Sequence, residues 1–193
     1  MPNRLLILGA GGHGKAVAEA ALLSGNWDEI VFADDRWPEI KEIFNFPVIS
    51  KVSDIENLAN SVQGAIAAVG NNALRKEWQS TIISSNLPLV SIVHPNAFVS
   101  QSAKIGAGSA IMACAMVGVD ARLGRGTIIN ANATVDHDAI LGDFAHLGVG
   151  VQIAGGVRVG ARAWLQAGCC AGYFVEVPEG QFVPPGTALI AEK

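Results

Sequence analysis

Charge, aromatic rings and cysteine are all scarce in this chain of 193 residues. Only 16% of the residues are charged, 13 basic against 17 acidic, for a net charge of −4. That balance argues against nucleic acid as a main partner, because phosphate backbones are bound by concentrated Lys and Arg. No apolar run approaches the ~20 residues that a membrane span needs. The N-terminus runs from Met1 directly into a glycine-rich loop and lacks the layout of a signal peptide. Cys114, Cys169 and Cys170 are odd in number and have no metal-ligand spacing. They read as reduced thiols packed as small apolar residues. A cytoplasmic chain with no disulfide, membrane or nucleic-acid partner is the expectation. With aromatics at 6% and apolar residues at 50%, the core must be built from aliphatic side chains.

Those aliphatics are ordered. Every sixth residue from Val93 to Leu165 is Val, Ile or Leu, thirteen positions without a miss. Four residues after each stands a small or β-branched residue, among them Ala115, Ala121, Ala133, Ala139, Ala145 and Ala163. Neither a 3.6-residue helix nor a lone strand sustains a period of six. A coil with three flat sides does, with one aliphatic in each inward corner, and the run supplies about four coils. From Ala107 to Val119 the sides carry almost no charge, which points to burial against a neighbouring copy. Residues 173–193, with Pro178, Pro184 and Pro185, show no clear phase and read as a cap or tail.

The first 85 or so residues follow a different grammar, alternating strand and helix. Strands are expected at Arg4–Leu8, Glu29–Ala33 and residues 64–69, and helices at residues 15–23 and 73–85. A short helix over residues 55–60 and a strand over 88–93 complete the set, with an irregular stretch around residues 38–53.

Three groups of residues could carry chemistry. Gly9-x-Gly11-x-x-Gly14 follows a strand and opens a helix, so its backbone can approach a diphosphate and the helix N-terminus can supply donors. Asp34 and Asp35 end the next strand, where a ribose or base edge would lie. A mere connecting turn and a nicotinamide dinucleotide site are the alternatives. Gly70-Asn71-Asn72 ends the third strand and serves a ligand, a helix cap, or both. Asp136-His137-Asp138 interrupts one side of the repeat, and a neutral His beside a carboxylate suits a general base near pH 7. His146 lies nine residues further on. That spacing, with no third ligand, makes zinc a poor fit. His94, beside Pro95, reads as structural.

Taken together, Gly9 to Gly14, Phe32-Ala33-Asp34-Asp35, residues 69–76, Ile92-Val93-His94-Pro95 and residues 130–146 resemble the hexapeptide-repeat sugar acyltransferases. The chain is most similar there to the nucleotide-aminosugar N-acetyltransferases of bacillosamine and perosamine pathways, with sialic-acid O-acetyltransferases as relatives. The resemblance implies an α/β Rossmann-like nucleotide-sugar domain over residues 1–87. An all-β left-handed parallel β-helix would follow over residues 88–193, ending in a cap. It also implies a homotrimer, with acetyl-CoA as co-substrate lying along the β-helix and no metal. Gly11, Gly12, His13, Asp34, Asp35 and Gly70 would contact the nucleotide sugar. His137 would be the general base, Asp138 would raise its basicity and Asn130 would help hold it. His146, Gly155 and Ala167 would contact acetyl-CoA, with the Gly155 N–H at the oxyanion. Relatives often have Glu where this chain has Asp138. The implied activity is N-acetylation of a nucleotide-linked amino-deoxysugar for glycan assembly. Sugar O-acetylation and non-catalytic nucleotide-sugar binding are the rivals.

Overall fold

The aliphatic and glycine-rich segments of the first part fold as a parallel sheet flanked by helices. The structure, a computed structural model, describes residues 2–191. The chain divides into two units, Met1–Val93 and His94–Lys193.

In the first unit, β1 (Arg4–Leu8) is central. Leu5 to Leu8 are completely buried, as expected of a parallel strand covered on both faces. Helix α1 (Gly12–Leu23) leads to β2 (Glu29–Ala33), which pairs parallel to β1 in register from Arg4↔Glu29 to Leu8↔Ala33. The stretch expected to be irregular forms a hairpin, β3 (Glu42–Ile43) and β4 (Phe46–Ser50), and β4 adds to β2. A 3-10 helix spans Val52–Leu58, and β5 (Gly64–Ala67) pairs on the other side of β1. The order β3-β4-β2-β1-β5 therefore reverses direction at β1, leaving a crevice at the strand ends. Helix α2 (Asn72–Ser84) buries Arg75, Trp78, Gln79 and Ile82, one stripe at helical spacing. Ile83, apolar like Ile82 but off that stripe, is 54% exposed. Of the strand expected over residues 88–93, only Ile92–Val93 forms. Leu89 makes an isolated parallel bridge to Ala65.

The second unit is a left-handed parallel β-helix with three flat faces. The first face includes Ala110–Ile111, Ile128–Ile129, His146–Leu147, Trp164–Leu165 and Phe182–Val183. The second runs through Phe98–Val99, Met116–Val117, Thr134–Val135, Gln152–Ile153, Cys170–Ala171 and Ala188–Leu189. The third holds Lys104–Ile105, Arg122–Leu123, Ile140–Leu141, Arg158–Val159 and Glu176–Val177. The aliphatic column points inward, and its members from Ile111 to Leu165 are at most 5% exposed. Each such burial contributes about 1.5–3 kcal/mol. The few polar residues inside are satisfied, as where the Thr127 hydroxyl donates to the Ser109 oxygen at 3.0 Å.

Every sixth residue from Gly108 to Gly186 sits in the left-handed region, ten of them glycine or short Asp and Asn. Phe144, Arg162 and Phe174 hold the same conformation, because the N–H there is tied to the preceding coil, as Phe144 N–H is to Arg125 O at 2.7 Å.

The tail expected over residues 173–193 is corrected. The inward column continues through Ala171, Val177, Val183 and Leu189, and the strands run on to Ala188–Leu189. Two prolines hid the phase. Gly160 and Gln166 donate onward to Val177 O and Val183 O. Pro178 and Pro184 occupy the same columns one coil later and have no N–H to donate.

Candidate active site and nucleotide cleft

The first unit has a cleft of about 300 Å³ at the ends of β1, β2 and β5, lined by Gly11, Gly12, His13, Asp34 and Gly70 among others. The three fingerprint glycines differ in why they are glycine. Gly9 turns with φ +108°. A Cβ on Gly14 would lie 1.9 Å from Gly9 O, so helix and strand could not approach. Gly11 and Gly12 have nothing within 4 Å of a Cβ, so the fold itself does not require glycine there. Their missing side chains keep the cleft open at the start of α1, which no side chain caps. That combination suits an anion.

Asp34 and Asp35 part company. Asp34 is buried and accepts from Ala10 N–H at 2.8 Å and from Arg36 Nε at 2.8 Å. The Arg36 guanidinium holds its carboxyl below the usual carboxylate range. Asp34 thus braces the loop, whereas Asp35 is exposed and accepts only a long bond, 3.3 Å, from Val52 N–H among the described residues. Asn71 caps α2 by accepting Leu74 N–H at 3.0 Å, so the cap in the Asn pair is the first member. Arg75 donates to Val69 O, Gly70 O and Asn72 Oδ1, fixing the Gly70 turn from beneath. Burial and the Arg75 charge push the His13 ring down to about 4, so it is neutral near pH 7. Its Nε2 is buried and has no hydrogen-bond partner among the described residues. Arg36, Arg75 and Trp78 are the residues of this region that sequence reasoning did not find.

In the β-helix, His137 stands at the corner where the second face turns into the third. Its Nδ1 lies 2.8 Å from Asp138 Oδ2 and its Nε2 4.0 Å from Asp136 Oδ2. The Asp138 hydrogen bond raises the His137 pKa above the ordinary 6.5. Asp138 has φ +59°, a conformation that a short carboxylate side chain tolerates well. With the Nδ1 N–H donated to Asp138, Nε2 keeps a lone pair that can accept a proton.

The ring lies over Gly155, one coil on. A Cβ there would be 2.4 Å from His137 Cε1, so glycine makes room for the ring. Asp136 Oδ1 accepts His137 N–H at 2.7 Å, and Asn130 Oδ1 accepts Ala131 N–H at 2.9 Å. Ala154 has no side-chain oxygen to do the same for Gly155, whose N–H makes no hydrogen bond among the described residues.

The other expected residues lie elsewhere on the coil. Asn130 and the exposed Ala167 are at the corner leaving the first face. His146, on that face, is 6% exposed and stacks on Trp164 with ring centroids 5.1 Å apart. The chain therefore carries two separate groups, His137 with Gly155, and Asn130 with His146 and Ala167. His94 is buried, with Nδ1 accepting Asn96 N–H. Cys114 and Cys170 are exposed, contrary to the expected packing, and Cys169 is buried. Among the described residues, no cluster of His, Cys, Asp or Glu could hold a metal, and no helix is long and apolar enough to cross a membrane.

Residues 4–82 match the family model described as the PglD N-terminal domain. The acetyltransferase domain of PglB from Neisseria gonorrhoeae FA1090, solved with acetyl coenzyme A, superposes with a TM-score of 0.81 at 35% identity over 94% of this chain and 96% of that one. PerB from Caulobacter crescentus, solved with CoA and GDP-perosamine, superposes with a TM-score of 0.88 at 32% identity over 98% of this chain and 92% of that one. The chain belongs to the nucleotide-aminosugar N-acetyltransferases. A curated member, the UDP-N-acetylbacillosamine N-acetyltransferase of Bacillus subtilis (strain 168), is 32% identical over 114 residues, 58% of this chain and 52% of that protein. The match thus spans about half the length of that curated relative. Both superpositions take in the α/β unit as well as the β-helix.

Proposed function

We propose that the protein transfers the acetyl group of acetyl-CoA to an amino group of a nucleotide-linked amino-deoxysugar, with His137 as general base. The single observation that carries this is the corner itself. An exposed imidazole is oriented by a carboxylate at 2.8 Å, above a glycine whose N–H is unused. Nε2 accepts a proton from the attacking amine, Asp138 stabilises the resulting imidazolium, and the Gly155 N–H stabilises the developing oxyanion. Asn130 would reach the base from another copy.

The nucleotide diphosphate is assigned to the cleft of the first unit. The N–H groups at the start of α1 and the space above Gly11 and Gly12 receive it. His13, kept neutral, and Gly70 line the same cleft, and Asp35 offers the free carboxylate for ribose or base. Asp34 keeps the loop closed. His146 and Ala167 would meet acetyl-CoA on the first face and its corner. The two separate groups on one protomer, with Phe98 and Val119 left 64% and 56% exposed, support a homotrimer in which copies complete each other's sites. A cytoplasmic location agrees with the exposed thiols.

Steady-state turnover of acetyl-CoA, followed by a thiol reporter, tests the reading. UDP-, GDP- and dTDP-linked aminosugars and their hydroxyl counterparts are the acceptors. Turnover with an aminosugar and none with its hydroxyl counterpart is the expected result. Turnover of the hydroxyl compound alone would move the protein to O-acetylation.

A further inference from the structure

The base at the corner is accounted for, but one of its two neighbouring carboxylates is not. Asp138 orients the ring. Asp136 uses Oδ1 to accept His137 N–H, and that task needs an oxygen, not a charge. The protein shows this itself, because Asn130 makes the equivalent bond to Ala131 N–H with an amide. At the same corner one coil earlier and one coil later stand Gly118 and Ala154, so the scaffold does not call for an acidic residue either.

Asp136 Oδ2 remains. It carries no hydrogen bond among the described residues and faces His137 Nε2 at 4.0 Å. That gap is too long for a direct bond. It is the separation that one nitrogen can bridge while lying about 2.9 Å from each atom. Asp136 also borders an open groove of about 380 Å³ on the second face, so Oδ2 can be reached from outside.

We propose that Asp136 is the anchor for the acceptor's ammonium group, the residue that selects an amine over a hydroxyl and delivers it to His137. The inference rests on the acetyl-transfer reading above. A sugar amine, like an α-amino group of pKa ~8, arrives mainly protonated. One N–H of the ammonium goes to Asp136 Oδ2 and another to His137 Nε2, which removes that proton. The freed lone pair attacks the thioester carbonyl carbon and forms the C–N bond, and the C–S bond breaks as the intermediate collapses. Of the three protons on nitrogen, one stays on the amide, one ends on the CoA sulfur and one goes to solvent. Asp136 remains a carboxylate throughout. A sugar hydroxyl brings no charge and only one O–H, which cannot serve both Asp136 and His137.

The test is Asp136→Asn, which keeps an oxygen for the His137 N–H and removes the charge. The acceptor is whichever UDP-, GDP- or dTDP-linked aminosugar the parent protein turns over, and its hydroxyl counterpart is the competitive inhibitor. The variant is expected to raise KM for the aminosugar ~10-fold or more while changing the inhibition constant of the hydroxyl compound less than about twofold. Equal changes for both compounds, or none for either, overturn the anchor and leave Asp136 as a corner brace. A parent protein inert toward every nucleotide aminosugar overturns the acetyl-transfer reading, and the anchor with it.

Discussion

His13 and His137 stand in different units and are driven in opposite directions. In the cleft of the α/β unit, ionisable groups are neutralised or tied down by the fold. Burial and Arg75 push His13 down to about 4, Arg36 holds Asp34, and burial pulls Arg75 down to about 9. At the β-helix corner the imidazole is exposed and a carboxylate raises its affinity for a proton. A recognition site gains from groups whose charge does not change with conditions, since backbone N–H donors and shape do the selecting. A site for proton transfer needs the reverse, a group poised to change charge on a frame that does not move.

Removing the poised group should have the largest effect. His137→Ala is expected to lower kcat by roughly 10² to 10⁴ with nucleotide-sugar affinity nearly unchanged. Retention of more than about a third of parental kcat across pH 6 to 9 would move the chemistry to substrate positioning. The mirror experiment in the other unit is Gly11→Val. Nothing lies within 4 Å of a Cβ at that position, so the variant should fold normally. It should weaken nucleotide-sugar binding ~10-fold or more while leaving KM for acetyl-CoA alone, as calorimetry and kinetics would report. Unchanged binding would make the glycine loop only a connector.

Asp138→Asn sharpens the contrast further. With His137 as the proposed base the rate requires its neutral form, and its pKa is raised, so the acidic limb of kcat/KM should lie above pH 6.5 in the parent. Without the carboxylate the limb should move to lower pH, and the plateau should fall by less than His137→Ala lowers it. The smallest effect belongs to His13. Between pH 6.5 and about 4 the unfolded chain takes up a proton that folded His13 refuses, so stability falls as pH falls through that window. His13→Gln should reduce the acid loss of Tm by a few degrees, seen in melting curves from pH 7.5 to 4.5. An identical loss in both proteins would show that the ring is not held neutral.

The coil was legible because its signal is arithmetic. A strict column of aliphatics admits little else, and Asp136-His137-Asp138 stood out against it. The same rule was lost past Leu165 only because Ala171 weakened the column and prolines drew the eye. The cleft was half legible. Gly9, Gly11 and Gly14 could be placed, since strand, turn and helix are local. That Arg75 is buried and Asp34 already engaged could not be read, because Asp34 meets the Ala10 N–H from 24 residues away and the burial of Arg75 depends on how the whole helix packs. Nor does a single strand of sequence show that Asn130 and His137 occupy different corners; the threefold path of the coil decides it.

The coil also keeps count. His137 and Gly155 are stacked because one circuit separates them, as Thr134 pairs with Gln152 across the same circuit. Between those two residues the chain tolerates substitution at many outward positions but not a change in number. One residue gained or lost there would turn Gly155 away from the ring, and every later corner with it. Past Gly155 the constraint lapses, and whole circuits could be added or removed with the base and its glycine still in step. For the proposed active site, the length of a segment would be as much a catalytic property as the identity of any side chain within it.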